Sequence, residues 1–414
     1  MDLAGAALID DIAGRRHSRA GALRSAGLTG HGRRGPDHGR AARNAGMRTL
    51  AAALVIAAGI AGCSSAPAAS FSQGNRHASR PANLHAKRGS TAVASHFKFG
   101  PLGDMAASSP SDVWAVGSDQ GIKAVLVNWN GNAWQNLPAP AGVPQLSSVA
   151  AVSPSDAWTA AVTSAHVSQI FHWDGQSWAA GPSLGAGPQV HLAAVAADDA
   201  WAVGGTPSGQ PLILHWNGQS WARVASPAPA AGDYLTGVAA TSSDDAWAIG
   251  TGAKANTGFI EHWDGKAWKL MSQGPPGATL TGIAVLNAGD AWAVGSVQPG
   301  KALIMRWNGQ SWSQVPVPAV PGGADLDSVA VAAPDEALAV GSTSAGRPVS
   351  MRWNGQAWLQ VPVSISAVST MPAANTAGLV SAAAAGGSVW AAGTRGFGGG
   401  GVVLRWDGTS WQQQ

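Results

Sequence analysis

HWDGQSW, residues His172–Trp178, sets two tryptophans five residues apart around an Asp-Gly pair. The same W-[ND]-G-x-x-W occurs at Trp129–Trp134, Trp173–Trp178, Trp216–Trp221, Trp263–Trp268, Trp307–Trp312, Trp353–Trp358 and Trp406–Trp411. Seven copies at a near-constant period mark a repeat protein, and that decides how the rest of the chain is read. A second signature lies upstream of each copy. It is DVWAVG at Asp112–Gly117, then DAWTAAV around Trp158, DAWAVG around Trp201, Trp247 and Trp292, EALAVG around Leu338, and SVWAAG around Trp390. Three tryptophan positions in seven repeats make twenty-one sites. Leu338 takes one, and the other twenty account for every tryptophan in the chain.

The first tryptophan (or Leu338) recurs at intervals of 44, 43, 46, 45, 46 and 52 residues. Each interval reads as four short strands separated by Gly, Pro, Ser and Asp. In the second unit these are strand A over 146–152, B over 157–161, C over 169–173 and D over 177–180. Four strands per unit, seven times over, predict an all-β, seven-bladed β-propeller of four-stranded blades across 97–414. Asn-Gly and Asp-Gly favour two-residue type I′ hairpins, since both positions of that turn need positive φ. On that expectation both tryptophans of a copy share one face of the C–D hairpin as diagonal neighbours, and His172 opposes Ser177. Buried tryptophans at about 5 kcal/mol each, before entropy is subtracted, would supply the cohesion that disulfides give other secreted folds.

The chain resembles the secreted bacterial β-propellers with D-x-W-A-V-G and W-[ND]-G-x-x-W repeats, grouped with the sialidase-type and kelch-type repeat families. The resemblance implies the fold over about 97–414 and little about activity, because such folds host enzymes, lectins and scaffolds alike. The sialidase Asp-box is matched only in part, since Asp174-Gly175 and Asp407-Gly408 are adjacent residues.

The overall pI of 9.3 hides an uneven distribution of charge. Residues 1–96 hold 13 Arg/Lys against 4 Asp/Glu, and 97–414 hold 12 against 18. The repeat region is therefore mildly acidic, which argues against nucleic acid as a partner. The single cysteine, Cys63, follows a short basic start at Met47 and an apolar run over 50–60. Such a run is the length of a signal-peptide core. Ile60-Ala61-Gly62-Cys63 resembles a bacterial lipobox, so 47–62 is expected to be a lipoprotein signal and Cys63 the lipidated residue; an ordinary secretion signal is the alternative. Residues 1–46 read as a mis-assigned leader before a start at Met47, or else as an Arg-rich cytoplasmic arm. Residues 63–96 read as a disordered, flexible tether. The expected location is the extracytoplasmic side of the cell membrane, held by the lipid anchor.

Chemistry is sparse in the repeats. Tyr234 is the one tyrosine, Glu261 and Glu336 are the only glutamates after residue 96, and no cysteine is present there. A propeller glycosidase, a copper-radical oxidase and a thiolate zinc site all lack their groups, so no catalytic residue, metal or cofactor is expected. His172, His215 and His262 precede W-[ND]-G where other units carry Asn128, Arg306, Arg352 and Arg405. They are expected to be polar partners at blade interfaces. Asp112, Asp156, Asp199, Asp245, Asp290 and Asp335 are expected to form local Asx turns between strands A and B. Those turns and the C–D turns hardly vary among copies, whereas the B–C and D–A connections do, so variation is confined to one face. Binding residues favour such loops. The candidates there are Asp233, Tyr234, His191, Asp325, Asp327, Arg347, Arg395 and Phe397, with the longest insertion over 361–377. Strand A is small and apolar, which predicts a channel without a charged funnel. A non-catalytic module binding an envelope protein is the first expectation, a lectin-like wall or glycan binder the alternative, and a glycosidase or lyase the third, against which the scarcity of Glu and Tyr argues.

Overall fold

The computed structural model describes residues 99–186, 189–227, 232–253, 257–298, 300–365, 378–395 and 400–414. The leader, the signal segment, Cys63 and the tether lie outside them, as does Phe397.

The described residues form seven sheets, each of four consecutive antiparallel strands. In blade two, strand A is Gln145–Ser153, B is Asp156–Val162, C is Ser168–Trp173 and D is Trp178–Ser183. Strand A of each blade packs against strand A of the next, round to the first again. Strand A therefore lines the axis and strand D forms the rim. The rim strands are only three to six residues long, which limits edge-to-edge pairing with other chains. Strand B is buried on both faces and is written in Trp, Val, Ile and Ala, as a doubly covered strand requires.

The core lies between blades. Each strand-B indole reaches into the following blade and packs against its tryptophan pair. Trp201 lies 5.2 Å from both Trp263 and Trp268, edge-on to the latter at 89°. The same triplet joins Trp158 to Trp216 and Trp221, and Trp292 to Trp353 and Trp358. Trp114 packs likewise on Trp173 and Trp178. Closure uses the same device, because Trp390 of the last blade sits 5.6 Å from Trp129 and 5.8 Å from Trp134 of the first. Among the described residues no strand is shared between the two ends. Instead the Gly401 amide donates to the Phe99 carbonyl at 2.8 Å, and Phe99 packs edge-on against Trp134.

The C–D hairpin differs from the expected type I′ turn. Trp173 pairs directly with Trp178, and His172 pairs with Ala179, so four residues form the loop. The Asp174 carboxylate accepts the amides of Gln176 and Ser177 at 2.8 and 2.7 Å, and the Asp174 amide donates to the Ser177 carbonyl. Only Gly175 takes positive φ, at 92°. Asn or Asp is thus needed as an acceptor that knits a wider loop, not as a residue tolerant of positive φ. The two indoles still share a face, but as direct partners 5.3 Å apart.

The recurrent aspartates differ as well. Asp112, Asp156, Asp199, Asp245 and Asp290 open strand B, and their carboxylates accept side chains from strand C. Glu336, not Asp335, fills that place in blade six, where it binds Arg352.

Truncating one knob of this ring tests where cohesion lies. Trp201→Ala is expected to lower the unfolding free energy by about 3–5 kcal/mol in guanidinium titrations. Trp201→Leu should cost clearly less, because Leu338 fills the same position in blade six at 0% exposure. An unchanged midpoint for Trp201→Ala would remove the indole triplets from the account of stability.

Candidate functional site: the polar channel and the variable face

Strand A begins on the face that carries the variable connections. In six blades a bulge interrupts it there, after Leu102, Leu146, Leu235, Leu280, Leu326 and Leu379. Blade three has no such bulge, since His191 pairs with Val203 and the register runs on unbroken to Ala193. The residues aligned just past this point are Asp104, Ser148, His191, Gly237, Gly282, Ser328 and Ser381, and they line an axial cavity of about 280 Å³.

Side chains at this level stitch neighbouring blades together at six of the seven seams. Asp104 accepts the Val149 amide at 3.0 Å, Ser148 accepts the Leu192 amide at 3.1 Å, and Ser328 accepts the Ala382 amide at 3.0 Å. Ser381 completes the circuit, accepting the Met105 amide at 3.1 Å and donating to Asp104 at 2.9 Å. Gly282 has no room for a side chain, because a Cβ there would meet the Ser328 Cα at 2.8 Å. Between blades four and five, and five and six, the bulge residues take over. The hydroxyls of Thr236 and Thr281 donate to the carbonyls of Leu280 and Leu326.

Two ionisable groups face each other in this wall. Burial pushes the Asp104 carboxyl up, against the Val149 amide, the Ser148 and Ser381 hydroxyls and His191, which all favour its charge. Burial likewise pushes the His191 imidazole down, against the pull of Asp104. Both shifts favour the uncharged forms, as a low-dielectric wall should. The small apolar residues expected of strand A do line the channel, and at one level they give way to a polar ring carrying one carboxyl and one imidazole.

The predicted site residues divide between this ring and separate loops. His191 joins Asp104 in the channel. Asp327 occupies the bulge of blade six, where burial and then the neighbouring Asp325 push its carboxyl up to about 7. Asp325 itself is exposed at the start of strand A. Asp233 turns inward, is 1% exposed and accepts the Ala253 amide at 2.9 Å, while Tyr234 turns outward at 42% exposure. Arg347 is exposed in the B–C turn of blade six, its amide donating to Thr343 Oγ1. Arg395 directly follows strand B of blade seven, with its amide on the Gly400 carbonyl. Arg347 and Arg395 thus lie in different loops, apart from the channel ring. Among the described residues no group of three His, Cys, Asp or Glu is arranged to hold a metal.

Glu261 was not singled out by motif, although the seven copies mark it. Its strand-C position holds Val127, Phe171, Leu214, Met305, Met351 and Leu404 elsewhere, and it is the one ionisable residue in an apolar column. Its side chain is 0% exposed and takes the Ser226 hydroxyl at 2.9 and 3.1 Å. Burial, and to a lesser degree the charge of Asp233, push it up to about 7. It secures the D–A connection between blades three and four.

His172, His215 and His262 are structural. Each imidazole donates at 2.8 Å to the carboxylate of its own blade and packs 4.0–4.1 Å over the strand-B indole. Arg306 does the same, with two hydrogen bonds to Asp290 and its guanidinium 4.7 Å over Trp292. The histidine contacts lie within a blade, rather than between blades as expected, while the Arg306 guanidinium also sits 5.3 Å over Trp353 of the next blade. They hold the indole in the orientation that the next blade meets.

No protein-family model matches the chain, and no curated protein matches it. Solved structures match in fold. YCF48 bound to a D1 peptide has a TM-score of 0.51 at 17% identity, over 75% of this chain and 93% of that one. YCF48 from Cyanidioschyzon merolae gives 0.51 at 16%, over 74% and 95%. The GH74 xyloglucanase from Xanthomonas campestris gives 0.53 at 15%, over 72% of this chain and 52% of that one. At these identities the similarity is one of architecture.

The buried carboxyl sets a pH dependence. The folded value of about 7 for Glu261 lies above its ordinary 4.5, so the native chain keeps a proton that the unfolded chain releases. Stability contributed by that proton is complete below pH 4.5 and falls as pH rises to 7, by roughly 3 kcal/mol. Glu261→Gln is expected to flatten this slope and to melt higher than the parent at pH 8, with little difference near pH 4.5. Parallel melting curves for the two proteins across pH 4.5–8 would show that Glu261 stays ionised.

Proposed function

We propose that the chain is a membrane-anchored, extracytoplasmic binding propeller that holds a protein partner on its variable face, without catalysis. The observation that carries this is the fate of the tryptophans. None of the twenty stands among the exposed large apolar side chains. Sugar-binding propellers that stack ligand on aromatic rings would need such faces open to solvent, whereas here the indoles are consumed by the blade seams. What the variable face does expose is mixed, with Tyr234, Asp325 and Arg347 each in a different connection. Amphipathic and charged side chains spread over a rigid rim suit a protein surface. YCF48, of similar fold, is known bound to a peptide.

A glycosidase would need two carboxyl groups converging on substrate, about 5–10 Å apart. In the channel cavity Asp104 is the one carboxyl among the described lining residues. A glycan-binding module is the second reading, supported by the polar ring of hydroxyls at the channel mouth. Anchoring rests on the Ile60-Ala61-Gly62-Cys63 motif, whose cysteine would carry acyl chains, and two or more of these hold a protein on a bilayer far better than one.

Crosslinking on intact cells tests the assignment. Tyr234→Ala combined with Arg347→Glu is expected to reduce the crosslinked partner at least tenfold, while Gln176→Glu on the opposite face leaves it unchanged. Saturable binding to purified wall glycan, competed by one sugar and untouched by those substitutions, would replace the protein partner with a glycan. Cys63→Ser should move the chain from the membrane fraction to the soluble one; retention on the membrane would overturn the lipid anchor.

A further inference from the structure

The face formed by the A–B and C–D turns is nearly invariant around the ring, and it breaks at one seam. Blade six carries Leu338 where six blades carry Trp, and blade seven carries Ser388 where five blades carry Asp and one Glu336. Ser388 borders a cleft of about 700 Å³ between the A–B turns of blades six and seven and the last C–D hairpin, and the buried Leu338 lies behind it in one cluster with Trp406 and Trp411.

The loss of the indole changes the wall. In blades two to six the first tryptophan of the hairpin donates to a carbonyl of its own A–B turn, as Trp353 does to Pro334. Trp406 instead donates across the seam to Glu336 Oε1 at 2.9 Å. Trp411 donates to Ser350 Oγ, also across the seam. The loss of the carboxylate changes the charge. Arg306 and Arg352 each make two hydrogen bonds to a carboxylate of their own blade, at 2.7–3.0 Å. Arg405, the same strand-C position in blade seven, faces Ser388 and makes no ion pair among the described residues. Its guanidinium is still held in place, 5.0 Å over the Trp390 ring, and it lines the cleft beside Ser388, Trp406 and Gln412.

We propose that this cleft binds a carboxylate supplied by another molecule, an aspartate or glutamate side chain of a protein segment, which takes on Arg405 the place that Asp290 takes on Arg306. A planar guanidinium fixed over an indole presents a fork that matches a carboxylate in two parallel hydrogen bonds. The other charges around the cleft define the segment further. Glu336 is neutralised by Arg352, and the Asp407 carboxylate accepts the amides of Thr409 and Ser410 in its own turn. Asp335 also lines the cleft. Asp335 and Asp407 would repel a second negative charge, so the segment carries a single acid on a neutral or basic background. Ala332, Ala333 and the Trp406 ring give it an apolar floor. The site is on the face opposite the variable loops and is independent of the partner proposed for them.

The test uses the full chain, with ¹⁵N-labelled indole and guanidinium signals followed during titration with the blocked peptide acetyl-Ala-Asp-Ala-amide. Saturable shifts of the Trp406 indole and Arg405 Nε–H signals are expected, at least tenfold weaker with the Asn peptide. Ser388→Asp restores the internal pair, so it should abolish the shifts while raising the melting temperature, which shows that the variant is folded. Arg405→Gln should abolish them too. Equal response to the Asp and Asn peptides, no saturation, or undiminished binding by a stabilised Ser388→Asp chain would overturn the site. Methyl glucuronide serves as the second arm; binding tenfold tighter than the peptide's would overturn the protein source of the carboxylate.

Discussion

One indole wedged edge-on between two indoles of the next sheet is the contact on which the ring depends. Each blade supplies a knob from strand B and a socket from its C–D hairpin, so no blade can bury both surfaces alone. Stability in such an array is a sum of neighbour terms. The seam that closes the ring, with Trp390 between Trp129 and Trp134, is built like the interior ones. That equivalence explains how a chain with no cysteine in the repeats, and no strand exchanged between its ends among the described residues, still forms a closed ring.

Polar chemistry is layered around that contact. Toward the constant face, carboxylates on strand B hold imidazole or guanidinium groups flat against the knob indoles, which limits how each knob can turn. Toward the variable face, the side chains of Asp104, Ser148, Ser328 and Ser381 take the amide of the adjacent blade. Where glycine leaves no side chain, Thr236 and Thr281 reach a carbonyl from one residue earlier. A buried backbone group without a partner is costly, and six of the seven seams satisfy one at this level with a residue of their own. The acidic groups caught in this layer, Asp104, Asp327 and Glu261, are those whose carboxyls burial pushes up.

The blade count, the four-strand unit and the burial of the tryptophans were legible in the sequence, because a seven-fold period amplifies a weak strand signal. The hairpin geometry was not. Asn-Gly and Asp-Gly fit both a two-residue turn and a four-residue loop, and only the pairing of Trp173 with Trp178 separates them. The polar channel was hidden by the bulges. One extra residue after Leu102 or Leu146 breaks the alternation from which a facing side is read, so Asp104 passed unnoticed in LGDM and Ser148 looked like part of an apolar strand. Glu261 and Arg405 were within reach of a column-by-column comparison. The first is a charge where six copies are apolar, and the second an arginine whose copy has lost its acid. Deviations from a repeat carry what the repeat itself cannot.

Each sheet is made of four consecutive strands, with none borrowed from elsewhere in the chain. The unit of structure is therefore also the unit of heredity. A tandem duplication of one blade's coding segment inserts a complete knob and a complete socket, and existing sheets keep their strands. Rings that close by sharing a strand must instead re-match their termini after every such event. A ring built this way can gain or lose a whole blade without disturbing the strand pairing of the others, and a change confined to one blade is felt at the seams it makes with its two neighbours.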